Sequence, residues 1–189
     1  MSHSTATRIG ALLRGQKPRQ AVAAVEATSA GIIGATLQAI PGASRWYVGS
    51  AGVYSARAAR ALLPAAVIEA SGMMDQTNYT GADAYIESKL RFVRTVSQGM
   101  REAFSSTWCV AESGTCGPSF YVDGIEGGFT AIAVAGPNSF YREQLFRTGH
   151  GERERNMHAF AEAALQLLVD CLEEQHASPS HPTALASRL

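Results

Sequence analysis

Apolar residues in this chain fall into short blocks, and their spacing changes from block to block. Ile9, Leu12 and Leu13 stand among polar neighbours at helical spacing, which predicts a short helix over 6–19 with Gly15 near its end. Residues 20–25 (Gln-Ala-Val-Ala-Ala-Val) form a short apolar run that reads as a buried strand. An acid, two hydroxyls and a glycine follow. A run of apolar and small residues then predicts a helix to about Ala39, stopped by Pro41-Gly42, with Gly34, Ala35 and Ala39 small enough to pack close to a sheet. Residues 46–54 are β-rich and loosened by glycine, and Ser55 is placed to cap a helix that ends near Leu63, before Pro64. Over 65–83 a mixture of Gly, Asn, Asp and a Met pair gives no readable period.

The second half is more regular. Ile86, Leu90, Val93, Met100 and Phe104 mark one face of a long amphipathic helix. Residues 108–111 predict a short buried strand that runs into a loop over 112–118, and the loop continues to 126. A strand over 127–135, a turn at Pro137-Asn138 and an extended partner over 141–148 predict a hairpin. Met157, Phe160, Ala161, Ala164, Leu165, Leu168 and Leu172 form one stripe of a final helix over 152–174. Strands alternating with helices, plus one hairpin, predict a single three-layer α/β/α domain with a mixed sheet. That domain spans 1–176, with a flexible tail over 177–189.

Composition narrows the function. At 189 residues the chain is long enough for one well-buried core, and sixteen basic residues balance sixteen acidic ones without a basic cluster, which argues against nucleic-acid binding. Cys109, Cys116 and Cys171 have neither metal-ligand spacing nor an even count, and the five histidines are scattered, so neither a disulfide framework nor a metal site is expected. No apolar run is long enough to span a bilayer and the N-terminus has no signal-peptide core, so a cytoplasmic protein without membrane partners is expected. The terminal Ser187-Arg188-Leu189 is a variant of the peroxisomal Ser-Lys-Leu address, which would matter only in a eukaryotic source. Contact through apolar helix faces would give a homo-oligomer.

Two turns carry the candidate chemistry. Val25-Glu26-Ala27-Thr28-Ser29-Ala30-Gly31 leads from strand to helix, where free N–H groups suit an anion or a polarised carbonyl oxygen. Glu26 there can equally cap the helix start. Glu112-Ser113-Gly114-Thr115-Cys116-Gly117-Pro118 is the second, with two glycines, two hydroxyls and a thiol that reads equally as a small hydrophobe. His150 and His158 read as surface or packing residues.

In order, these segments resemble the C-terminal domain of the CinA (competence/damage-inducible protein) family, over roughly residues 20–172. The family's Ala-Glu-Ser-Cys-Thr-Gly-Gly is matched by Val25 to Gly31, its Val-Pro-Gly-Ala-Ser by Ile40-Pro41-Gly42-Ala43-Ser44, and its Tyr-Ser-Asn-Glu-Ala-Lys by Tyr54-Ser55-Ala56-Arg57-Ala58-Ala59. Its Thr-Gly-Ile-Ala-Gly-Pro corresponds to Ser113-Gly114-Thr115-Cys116-Gly117-Pro118, and its Gly-Asp-Arg to Gly151-Glu152-Arg153. The resemblance implies a nicotinamide-nucleotide amidase-like hydrolase that needs no cofactor and converts a mononucleotide's carboxamide to a carboxylate plus ammonia. The family's serine and lysine positions hold Ala27 and Ala59. A replacement hydroxyl is then expected from Ser29 or Thr28, acting with Tyr54 and Ser113. Glu26, Gly31, Arg60, Gly114, Gly117 and Arg153 are expected to bind the nucleotide, with Arg60 restoring a charge and Arg153 pairing a phosphate. The alternative is a non-catalytic nucleotide-binding or regulatory protein that keeps the pocket.

Overall fold

The structure is a computed structural model and describes residues 2–73 and 80–177. Its elements in chain order are α1 (Ser2–Arg14), β1 (Val22–Glu26), α2 (Ile32–Gln38), a 3-10 turn (Ala43–Arg45), β2 (Tyr47–Gly52), α3 (Ala56–Leu62) and α4 (Ala65–Ser71). After these come α5 (Ala82–Ala103), β3 (Trp108–Thr115), β4 (Phe129–Ala135), β5 (Tyr141–Arg147) and α6 (Arg153–Ala177). One five-stranded sheet has the order β2-β1-β3-β4-β5; β1 lies parallel to both β2 and β3, while β4 and β5 run antiparallel as a hairpin.

Strand alternation divides the core in two. Val22, Ala24, Trp108, Val110, Ile132 and Val134 face α1, α2 and α6, while Ala23, Val25, Cys109, Ala111, Ala131 and Ala133 face α3, α4 and α5. The central strands β1 and β4 are buried at every position, which is why they read as continuous apolar runs with no period-2 signal. The predicted three-layer mixed-sheet fold is the one observed.

Three elements differ from the sequence reading, the first being α1, which covers Ser2–Arg14 in place of 6–19 and so ends before Gly15. β3 extends through Thr115, because Glu112, Ser113, Gly114 and Thr115 pair with Ile132, Ala131, Thr130 and Phe129 of β4. Their polarity suggests a loop, yet antiparallel pairing holds them in the ladder. The Gly114 Cα is a packing requirement there, since a Cβ on it would lie 2.0 Å from the Phe129 carbonyl oxygen. In addition, the unreadable segment contains α4, whose N-cap is Pro64 and whose last turn is closed by Gly72 at φ +63. The rest of that segment, residues 74–79, and the proposed tail from 178 onward lie outside the described residues. No helix among the described residues is long and apolar enough to cross a membrane.

Candidate functional site

The parallel strands β1 and β3 end side by side in acids, with Glu26 paired in register to Glu112. Both side chains point to the α2/α6 face and are 1% exposed. The Glu26 carboxylate accepts the N–H groups of Gly31 and Ile33 at 2.9 and 3.0 Å on Oε2, and that of Gly34 at 2.8 Å on Oε1. Glu26 therefore satisfies the start of α2 from within. Burial pushes its carboxyl above the usual range, against the lowering effect of the Gly34 and Ile33 N–H groups and the Ser29 hydroxyl.

Glu112 does the same for the turn before α2. Its Oε2 accepts the N–H groups of Thr28 and Ser29 at 3.0 and 2.9 Å, while its Oε1 accepts the hydroxyls of Thr28 and Thr130, the latter at 2.7 Å. Ser29 Oγ sits between the two acids, 2.9 Å from Glu26 Oε2 and 3.0 Å from Glu112 Oε2, and is fully buried. Glu112 opens the second candidate turn in the sequence, where its neighbours gave it no separate role. The only available signal was an acid ending a second buried strand, in step with Glu26.

These contacts correct several expectations. The helix start does not hold an anion, because its N–H groups are already engaged by Glu26; Glu26 is thus a capping residue and not a ligand contact. Gly31 is required by its left-handed φ of +92, and its N–H is spent on Glu26. Ser29 has no exposure from which to attack a substrate, and the Thr28 hydroxyl is bound to Glu112. Arg60 lies on the exposed side of α3, one position round from buried Ala59, and does not line the cleft.

That cleft lies on the opposite face, beyond the same strand ends, and has a volume of about 430 Å³. This is within the roughly 300–1,000 Å³ of ordinary small-molecule sites. Ala27, Ser113 and the loop through Cys116 and Gly117 line it, together with Phe92, Phe120, Lys89, Tyr54 and Arg153. Ser113 arrives there because it follows Glu112 and so faces the other way across the sheet. Tyr54 is 69% exposed and accepts a 3.0 Å hydrogen bond from Arg153 Nη2, while Arg153 Nη1 donates to the Gly117 carbonyl at 3.2 Å. The structure therefore brings together Tyr54, Ser113, Gly114, Gly117 and Arg153 from the expected set, with Thr28 bordering the cleft beside them.

Close backbone contacts fix the loop. Gly117 has φ +87 and a Cβ there would meet the Gly151 carbonyl oxygen at 2.8 Å. Fully buried Asn156 donates from Nδ2 to the carbonyls of Cys116 and His150, both at 2.8 Å. Arg153 and Gly117 are thus held by the same end of α6. The Cys116 thiol is pushed up to about 11, chiefly by burial and next by Glu112, and lies 3.6 Å from the Thr28 carbonyl oxygen. It is not a thiolate nucleophile. Lys89 also went unremarked in the sequence, since it occupies a polar position on an otherwise ordinary amphipathic helix. Among the described residues it and Arg153 are the cleft's only charged lining groups, so the cleft is cationic.

The fold and this cleft define an α/β protein with its site at the carboxyl ends of central strands. The profile of the CinA C-terminal domain family matches residues 2–172. The chain belongs to the CinA C-terminal domain family. A CinA-like protein of Parasynechococcus marenigrum (strain WH8102) is 29% identical over 137 residues, covering 71% of this chain and 29% of that protein. A second, from Synechococcus sp. (strain CC9902), is 29% identical over 119 residues, covering 62% and 25%. The chain therefore spans less than a third of the length of these curated relatives. Among solved structures, a CinA superfamily protein from Klebsiella pneumoniae 700603 superposes with a TM-score of 0.71 at 21% identity, covering 92% of this chain and 99% of that one. The competence or damage-inducible protein of Enterobacter asburiae gives 0.72 at 15% identity, covering 91% and 98%. These likenesses are of fold.

Proposed function

We propose that this domain binds a planar, phosphate-bearing small molecule of the mononucleotide class and does not hydrolyse its carboxamide through a serine. The observation that carries this reading is the outward turn of Ala27. Its methyl reaches the cleft where the resemblance puts a serine, while the neighbouring hydroxyls of Thr28 and Ser29 are held by Glu112 and Glu26. The lysine position, Ala59, is fully buried against the apolar cluster of Val25, Val53 and Leu63. Amide hydrolysis by the implied route needs a nucleophile together with a base, and both positions carry methyl groups.

What the cleft retains suits binding. Arg153 offers a guanidinium steadied by Tyr54 and the Gly117 carbonyl, a geometry suited to phosphate. Phe120, tilted at 49° to Tyr85 with ring centroids 4.7 Å apart, supplies an aromatic wall for a flat ring. The test pairs two readings on the same protein. Nicotinamide mononucleotide at a hundred times its dissociation constant should stabilise the fold by about 2.7 kcal/mol, with no ammonia released above buffer. Ammonia release that disappears in Ser29→Ala or Thr28→Val would return the domain to the amidases.

A further inference from the structure

Lys89 has no role in the binding reading beyond its charge, and its surroundings fit a different use. The chain contains two lysines, Lys17 and Lys89, and fourteen arginines. Lys17 is exposed near the N-terminal helix, so Lys89 is the only lysine in the cleft. A guanidinium keeps its proton near neutrality, whereas a desolvated ammonium can lose it. For charge alone, arginine would serve, and Arg153 already does so across the same cleft.

The amine is placed to be reactive. Lys89 Nζ lies 5.1 Å from the centroid of the Tyr85 ring on the same helix. Among the described residues no carboxylate stands within ion-pair distance and none accepts a hydrogen bond from it. The acid that acts on it through space, Glu112, has its oxygens engaged by Thr28, Ser29 and Thr130. Other titratable groups around the cleft are Tyr54 after β2, Cys116 after β3 and Arg153 on α6. Burial pushes the ammonium down to about 8, opposed by Glu112. Of the other cleft groups, the Cys116 thiol stays protonated, Ser113 has no hydrogen-bonded base among the described residues, and the Thr28 hydroxyl is engaged by Glu112 as part of the turn before α2.

We propose that Lys89 is a nucleophilic amine that condenses reversibly with the carbonyl group of an anionic aldehyde or ketone held in the cleft by Arg153. The Nζ lone pair forms a bond to the carbonyl carbon as the C=O π electrons move to oxygen, and proton transfer from nitrogen gives a carbinolamine. The second nitrogen proton and the hydroxyl leave as water, and a C=N bond remains. Addition of water reverses the sequence, so no oxidant or reductant is consumed. The inference rests on the anion-binding reading only for Arg153 as the anchor.

The experiment uses the whole chain with pyridoxal 5′-phosphate, an aromatic aldehyde phosphate, at pH 7.5. Sodium borohydride then reduces any C=N bond to a stable amine, and peptide mass mapping compares Lys89, Lys17 and the α-amino group. With the Lys89 ammonium lowered by burial from 10.5 to about 8, its neutral amine at this pH is more abundant than in an unperturbed lysine by roughly a hundredfold or more. Labelling of Lys89 at least about tenfold faster than Lys17 is expected; a smaller ratio overturns the proposal. Lys89→Arg should keep binding pyridoxine 5′-phosphate, the corresponding alcohol, and lose the cleft label. If the alcohol phosphate fails to bind the unaltered chain while Lys89 still labels selectively, the anion reading falls and the reactive amine stands.

Discussion

Glu112 is the residue whose removal should cost the fold most for its size. It is 1% exposed and accepts the Thr28 and Ser29 N–H groups on one oxygen, with the Thr28 and Thr130 hydroxyls on the other. Glu112→Leu fills similar volume but leaves two buried N–H groups unsatisfied, at about 1–3 kcal/mol each. Loss of the hydroxyl contacts adds to this, and relief of a buried charge subtracts, for a net cost of about 3–5 kcal/mol. Glu112→Gln can keep its amide oxygen toward the N–H pair and present its NH₂ to the two hydroxyls, which rotate to accept, so its cost should be about 1–2 kcal/mol. Since whole domains are stable by about 5–15 kcal/mol, the first variant should approach unfolding at physiological temperature. Urea denaturation followed by circular dichroism reads both, as a fall in midpoint at unchanged slope. Equal midpoints for the two variants, or a loss under about 1 kcal/mol in Glu112→Leu, would refute the assignment of Glu112 as the internal acceptor for this turn.

Four further outcomes follow from particular contacts. Arg153→Ala should weaken a phosphate-bearing ligand by at least about tenfold, read by calorimetry, with the melting temperature little changed because its contacts are at the cleft rim. Gly114→Ala places a Cβ 2.0 Å from the Phe129 carbonyl oxygen and 2.5 Å from Thr130 Cα, so it should separate β3 from β4 and cost about 3 kcal/mol or more in urea. Ala59→Lys, which restores the amine implied by the resemblance, would bury an unpaired ammonium at a fully enclosed site and should lower stability by about 3 kcal/mol or more. Lys89 has a folded value near 8 against an ordinary 10.5, so between these the unfolded chain binds more protons at this site and its contribution to stability should rise with pH, opposite in sign to the buried cysteines, whose raised thiols lower stability from about pH 9 upward. Lys89→Met should abolish that rise and stabilise the fold below pH 8, read by melts across pH 7–10.5.

Much of the fold was legible because its elements announce themselves locally. The apolar run of β1, the stripe on α6 and the Ser55 cap of α3, whose Oγ accepts the Ala58 N–H at 3.3 Å, are written in neighbouring residues. The end of β3 was not, because Glu112-Ser113-Gly114-Thr115 is strand only by virtue of pairing with β4. The site followed the same rule. Tyr54, Ser113 and Arg153 came from motif order and do meet at one cleft, whereas Thr28 and Ser29 are held by Glu112, eighty-odd residues away, while Glu26 engages Gly31 and the start of its own helix. Sequence spacing cannot show that Glu26 and Glu112 end adjacent strands in register, nor that this register puts the Thr28 and Ser29 hydroxyls on the Glu112 carboxylate. Lys89 was hidden for a similar reason: only the packing of α5 against the sheet directs it to the strand ends.

The most direct test of a binding cleft without serine-based hydrolysis is a single calorimetric titration of the domain with nicotinamide mononucleotide. Binding without turnover predicts injection heats that decay to baseline and saturate at one equivalent. Sustained thermal power after each injection, or heats indistinguishable from dilution, would contradict it.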